Sequence, residues 1–464
     1  MRTGRREFLG QKACLGAIAG CLATFASAQT TTESATEGFF DLSTGYYFSD
    51  NYDALENPTG NTYLWRTDAT LGYASETRSE QFSAEAGTTL ELGEYGEDDG
   101  ENGGFLNPFF QVSYDRQGYN ANLETELSYR QSENRFDRKF QPQTGRDLIV
   151  DQGTRRDLRF AATLAGGNGT PTTSEATLQF RQTRYQDTTD PDLTDRDTLL
   201  FNGRLELAAT RTAQLFGVLD YYDRDDIEDL KSDEIRKGVG LGINVELNPR
   251  LAFYGAARYE SNALTQTVGS ERVTTERHEP TLDLRLTQDM KNGNLRTRLR
   301  SRLESTGVQT DLSFGRALDL IHGSVDLTIG ATRTSSGTVT PVGSIDWTRD
   351  YKTSALQVVF RSAVRTNDDD EDTVDSRLNV NYAQELTQLT GMELSLGLYS
   401  SDPLDDGGEN RERADFSASL YREINEDWRI RAGYTHNYAF DRVDELIAEN
   451  VFFATLDRNF TFRP

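Results

Sequence analysis

The chain of 464 residues is 36% hydrophobic, with a mean hydropathy of −0.65 and a net charge of −26. It has no apolar run of about 18 residues, so no transmembrane helix is available, and so acidic a chain is a poor partner for nucleic acid. Its 20 Tyr, 24 Phe and 39 Gly, against 10 Pro and 3 Met, favour strands and interfacial aromatics over helices.

Residues 1–28 read as a leader. Arg2, Arg5, Arg6 and Lys12 form a basic start, Ala13 to Phe25 an apolar core, and Ala26-Ser27-Ala28 a small-residue cleavage site. Two other readings stay open. Arg5-Arg6-Glu7-Phe8-Leu9 resembles a twin-arginine leader, and Ile18-Ala19-Gly20-Cys21 resembles a lipobox. Both cysteines, Cys14 and Cys21, fall inside the leader. Cleavage after Ala28 therefore leaves no thiol for a disulfide or a metal site.

Residues 29–38 are rich in Ser, Thr and Glu and read as a short disordered segment. From residue 39 to the end the chain alternates. Phe40, Leu42, Thr44, Tyr46 and Phe48 begin the pattern, and Leu199, Phe201, Gly203, Leu205 and Leu207 repeat it. Val239, Leu241, Ile243, Val245 and Leu247 do so again, and Trp428, Ile430, Ala432 and Tyr434 follow near the end. About 22 such segments are legible, with 20 as the alternative count, each near the length of a tilted membrane-spanning strand.

The connections carry a second pattern. Short turns at 77–79, 116–118, 248–249, 291–294 and 425–427 alternate with long polar loops at 49–61, 94–103, 131–153, 222–234, 261–275 and 400–412. An even-stranded membrane barrel with a periplasmic N-terminus requires that parity, and a soluble sandwich does not. No fixed-period repeat supports a solenoid. No linker divides residues 39–464 into domains. The expected fold is all-β, a single antiparallel transmembrane barrel without a plug domain.

On Leu295 to Leu303 the arginines Arg296, Arg298, Arg300 and Arg302 take one face. Arg at the midplane of a lipid face costs about 2–4 kcal/mol, so that face must line the lumen. The same alternation puts Arg285, Arg159, Arg181, Arg204 and Arg361 inside, with Arg258, Arg377, Arg429 and Arg431. Guanidinium holds carboxylate, sulfate or phosphate, so the wall suits anionic solutes or an acidic polysaccharide. A structural lattice is the competing reading, with Glu124, Glu126, Asp157, Glu206, Asp283 and Asp311 as partners. Long inward side chains (Gln111, Arg130, Gln179, Tyr254) and an infolding 131–153 loop would occlude the pore.

Other constellations carry less. The acidic run 368–372 lacks the spacing of a calcium loop and reads as solvated. Gly238, Gly240 and Gly242 leave room inside the lumen. His278, His322 and His436 are scattered and pair with no nucleophile, so no catalysis, cofactor or metal is expected.

The final segment, Val451 to Phe462, puts Phe452, Ala454, Leu456, Phe460 and Phe462 on one face. Such an ending resembles the assembly signal of Gram-negative outer-membrane barrels, carried here by Phe460 and Phe462, although Arg458 interrupts the face and Arg463-Pro464 follow it. With the leader and the loop parity, nearly the whole chain resembles a porin-like outer-membrane barrel. Within that class its texture is similar to the beta-barrel porin 2 type, large barrels linked to exopolysaccharide systems. The resemblance implies an integral outer-membrane protein. Its partners would be outer-membrane lipid, lipopolysaccharide and the barrel-assembly machinery, with an anionic solute or polysaccharide as cargo. A non-conducting structural or adhesive barrel is the alternative. The strand number also resembles TonB-dependent transporters, but about ten residues before the first strand leave no room for their plug.

Overall fold

A computed structural model describes residues 35–58, 60–96, 103–135, 150–190, 193–227, 232–268, 271–367, 371–404, 410–441 and 445–462. The expected leader, residues 136–149 of the long loop and residues 368–370 of the acidic run lie outside them.

Among the described residues there are 22 strands and no helix. They are β1 (Ala35–Ser49), β2 (Thr62–Glu76), β3 (Glu80–Glu94), β4 (Gly103–Gln117), β5 (Ala121–Glu133), β6 (Thr154–Gly166), β7 (Thr172–Gln186) and β8 (Arg196–Ala208). Next come β9 (Ala213–Asp226), β10 (Asp233–Asn248), β11 (Leu251–Val268), β12 (Glu271–Met290), β13 (Gly293–Leu303), β14 (Val308–Leu320) and β15 (Gly323–Arg333). The last are β16 (Val339–Asp350), β17 (Ser354–Thr366), β18 (Asp372–Glu385), β19 (Thr390–Pro403), β20 (Arg411–Glu423), β21 (Trp428–Asp441) and β22 (Glu445–Phe462). Each pairs antiparallel with its sequence neighbours, and β22 pairs with β1 from Gly38↔Phe462 to Ser49↔Val451, closing the cylinder. Closure leaves no edge strand with unpaired backbone groups, which is what lets a sheet sit in lipid.

Register confirms the facing read from the alternation. Leu71, Leu164, Leu205, Leu219, Leu241, Leu312, Ile329 and Phe452 are exposed and share the outward face. An apolar belt that remains exposed on a closed barrel is a surface for hydrocarbon. Around the seam outward aromatics cluster near both ends. Tyr46 meets Trp65 edge-on at 5.4 Å, and Phe48 lies 5.1 Å from Tyr63. At the other end Phe40 lies 5.8 Å from Phe460. Arg458, the charge on that face, lies over the rings of Trp428 (4.6 Å) and Phe460 (3.8 Å). Aromatic shielding of this kind keeps a guanidinium tolerable at a membrane boundary.

A further device ties strands together. Phe39 lies over Gly72, Phe109 over Gly87, Phe216 over Gly242, Tyr421 over Gly391 and Phe453 over Gly433, and each ring faces its glycine in register. All five pairs face the lumen. A Cβ at Gly242 would stand 2.2 Å from the Phe216 ring, so only glycine permits the contact. The space expected to be open beside Gly240 and Gly242 is thus filled, by Arg258 and by Phe216.

Two boundaries differ from the sequence reading. β1 starts at Ala35, so residues 35–38 of the expected disordered segment are already paired with β2. The loop expected at 261–275 is instead a tall hairpin. β11 and β12 stay paired up to Val268↔Glu271, and Thr265 and Thr274 share a hydroxyl hydrogen bond of 2.9 Å. Thr and Val favour extended backbone even where the sequence is polar. The hairpin rises above its neighbour, since β13 pairs with β12 only as far as Asp283↔Arg300.

Candidate functional site

All thirteen arginines singled out by the alternation share the lumen face. Arg285 stands opposite Arg298, Arg159 opposite Arg181, and Arg361 opposite Arg377. Arg204, Arg296, Arg300 and Arg302 fall on the same face through their register partners Glu175, Gly315, Asp311 and Gln309.

Their partners divide them. Arg298 holds Asp283 with two hydrogen bonds, 3.0 Å from Nε and 2.7 Å from Nη2. Arg285 lies 3.9 Å from the same carboxylate and 5.4 Å from the Tyr254 ring. Arg181 bonds Asp157 at 3.2 Å. Arg204 bonds Glu206 at 2.6 Å and lies 4.0 Å over Phe216. Arg296 pairs with Asp326, and Arg302 pairs with Glu304 (3.0 Å) and Asp311 (3.5 Å). These are the pairs of a wall lattice. Arg159, Arg300 and Arg361, by contrast, have no carboxylate within 4 Å among the described residues.

The carboxylates divide as well. Asp157, Glu206, Asp283 and Asp311 serve the arginines as expected. Glu124 and Glu126 do not. They line a concavity with Glu76 and Asp115 toward the short-turn end, where no arginine reaches them. The lumen therefore carries an acidic concavity beside its arginine–carboxylate lattice. Which strands face each other around the cylinder decides this, and a period-2 pattern cannot express it. Of the long inward side chains, Gln111, Arg130, Gln179 and Tyr254 do share the lumen face.

At the long-loop end the structure adds a site that the sequence does not show. The loop between β1 and β2 folds inward and is tied to β22 through Asp50, whose carboxylate accepts from Asn450 at 2.7 and 2.6 Å. Tyr52 donates to Glu91 at 2.6 Å, and the Arg135 guanidinium lies 4.5 Å over its ring and 3.2 Å from Asp53. Ala54 and Val150 pack with Ala439 and Ile447, so the ends of the 134–153 loop join the same knot. Beneath it a chamber of about 510 Å³ is lined by Tyr47, Arg66, Arg431, Asn437, Phe453 and Asp457, among others. Burial, followed by the charges of Glu133 and Glu91, pushes the Tyr52 hydroxyl far above its ordinary range. Burial opposes the Arg135 charge, yet Glu133, Tyr52, Asp53 and Glu91 hold it above the usual value.

The histidines stay apart. His278 stacks on Tyr259 in the tall hairpin, and His436 Nδ1 lies 3.0 Å from Asn450. Among the described residues no cluster of His, Cys, Asp and Glu is arranged to hold a metal ion.

No protein-family model matches the chain, and no curated protein matches it. Solved structures do. A mutant of the ferric enterobactin receptor PfeA from Pseudomonas aeruginosa, in complex with enterobactin, aligns with TM-score 0.56 at 10% identity over 93% of this chain and 82% of that one. The siderophore receptor PirA from Acinetobacter baumannii gives 0.55 at 9% identity over 94% and 81%, and the copper transporter OprC gives 0.56 at 11% over 94% and 82%. At such identities the likeness is one of fold. It falls on large receptor barrels, the class whose plug the short stretch before β1 does not accommodate in the sequence expectation. The described chain is a closed 22-strand antiparallel barrel whose fold resembles those of the ferric enterobactin receptor, the siderophore receptor and the copper transporter.

Proposed function

We propose that the protein is an integral outer-membrane channel of porin-like type that passes or exports hydrophilic, anionic solutes or polysaccharide. The observation that carries this reading is the set of lumen guanidiniums without a carboxylate, Arg159, Arg300 and Arg361. A wall built only for stability would neutralise each of them, and charged rings set the selectivity of wide pores. The apolar outer belt fits the outer membrane, with lipid and lipopolysaccharide around it and the short turns on the periplasmic side. One of the fold neighbours, OprC, is named a copper transporter. Phe460 and Phe462 stand where an assembly signal for the barrel-assembly machinery would end. No catalytic activity is proposed.

Planar-bilayer recording tests the reading. The purified protein should give stable conductance steps with anion selectivity, and Arg300→Glu with Arg361→Glu should shift the reversal potential toward cations. Silence, or an unchanged reversal potential in the variant, would overturn it. Silence would instead favour a non-conducting structural or adhesive barrel, a reading supported by the knot of loops around Tyr52 and Arg135 at the mouth.

A further inference from the structure

We propose that Arg361 and Arg377 form a discrete oxyanion-binding site in the lumen wall, taking a single phosphate, sulfate or carboxylate group of a passing solute. The site rests on the channel reading above, since it belongs to the same lumen, but it makes a separate claim.

Three pairs of arginines stand directly opposite each other on the lumen face: Arg159 with Arg181, Arg285 with Arg298, and Arg361 with Arg377. Like charges at directly opposed positions repel, because their Cβ atoms are only about 4.5–5.5 Å apart. In the first two pairs the fold supplies the remedy. Asp157 bonds Arg181, and Asp283 lies within 4 Å of both Arg285 and Arg298. Among the described residues the third pair has no such remedy. The nearest acidic positions on the same face are Asp346 and Asp375, each one step along the strand from the pair in register. Neither comes within 4 Å of Arg361 or Arg377. Asp375 is committed elsewhere, accepting from Thr373 at 3.0 Å and Ser401 at 2.8 Å and lying 3.8 Å from Arg365.

Arg365 adds a third cation on the same face of β17. On the other side Tyr399, the register partner of Arg377, donates its hydroxyl to Asn379 at 2.7 Å, and its ring lies over Gly397. Arg361 is exposed to the lumen and Arg377 is half-buried. The pair thus presents two planar donor forks side by side, one exposed to the lumen and one half-buried in the wall. An oxyanion bridging them would supply the charge that an aspartate supplies to the other two pairs, and two guanidiniums can bind one such group with several charge-assisted hydrogen bonds.

Isothermal titration of the purified full-length protein in detergent tests the site without requiring conduction. Inorganic phosphate and glucuronate are the two probes, and their relative affinities separate a phosphate from a carboxylate preference. Saturable binding is expected, weakened at least tenfold in Arg361→Gln/Arg377→Gln and within twofold of wild type in Arg250→Gln, which changes an exposed arginine in the turn between β10 and β11. Heat-modifiable gel migration reports whether each variant is folded. If the double variant does not fold, the exposed Arg361→Gln alone should still weaken binding several-fold. Absence of saturable binding, or binding that the Arg361 and Arg377 changes leave intact, overturns the site. Silent bilayers with binding lost in the variant would refute the channel and keep the site. Anion-selective bilayers with unaffected binding would keep the channel and refute the site.

Discussion

Arg298 grips Asp283 through both of its carboxylate oxygens, whereas Arg300, two residues along the same strand face, has no carboxylate within 4 Å among the described residues. One strand therefore carries a structural arginine and a free one side by side. Removing Arg298 leaves Asp283 only a 3.9 Å contact with Arg285. Arg298→Ala should lose about 1–3 kcal/mol, the usual cost of stranding a partly buried charged partner. Arg300→Ala should stay within about 0.5 kcal/mol. Urea unfolding of the folded barrel in detergent measures both. Equal losses would show that the two arginines do the same job.

The ring-over-glycine pairs should be specific. A Cβ on Gly391 would stand 2.3 Å from Tyr421. Gly391→Val should destabilise by about 1–3 kcal/mol, as overpacking does. Tyr421→Ala should recover part of that loss in the double variant. Additive losses in the unfolding midpoints would mean that the contact is incidental.

Closure of β1 on β22 makes a register prediction. Ser43 Oγ donates to Asp457 at 2.6 Å across the seam, and the two residues are register partners. Ser43→Cys with Asp457→Cys should cross-link on oxidation and change migration on a non-reducing gel, while each single variant should not. A shift of one residue in register would point one of the two thiols away from the lumen and abolish the link.

The knot at the mouth should loosen at high pH. The Tyr52 value is raised in the folded protein, by burial first and by Glu133 and Glu91 next. Its contribution is therefore complete below the unfolded value of about 10 and is lost as pH rises beyond it. Proteolysis of the 50–61 loop should accelerate above about pH 10. Tyr52→Phe cannot ionise and should show no such rise, so an identical profile in that variant would assign the opening to another group.

Much of the fold was legible because a spanning strand must alternate. Leu295 to Leu303 shows its facing directly, since lipid rejects four arginines on one side. The tall hairpin at β11 and β12 looks like a loop in the sequence because it is polar, yet Thr265, Thr267 and Val273 are good strand residues. The aromatic–glycine pairs left a trace in the sequence, in the single glycines within strands such as Gly72, Gly391 and Gly433. Finding the ring that fills each one required the register.

The sequence by itself determined the barrel and the face on which each singled-out arginine lies, because both follow from a period of two and the cost of charge in lipid, and it left the strand number at about 22 with 20 as the alternative. Only the tertiary structure decided which charges neutralise one another. Asp283 reaches Arg298 while among the described residues no aspartate reaches Arg361 or Arg377, and Tyr52, Glu91 and Arg135 meet although far apart in the chain. Those meetings depend on distances across a closed curved sheet and between loops, and local periodicity carries no information about them.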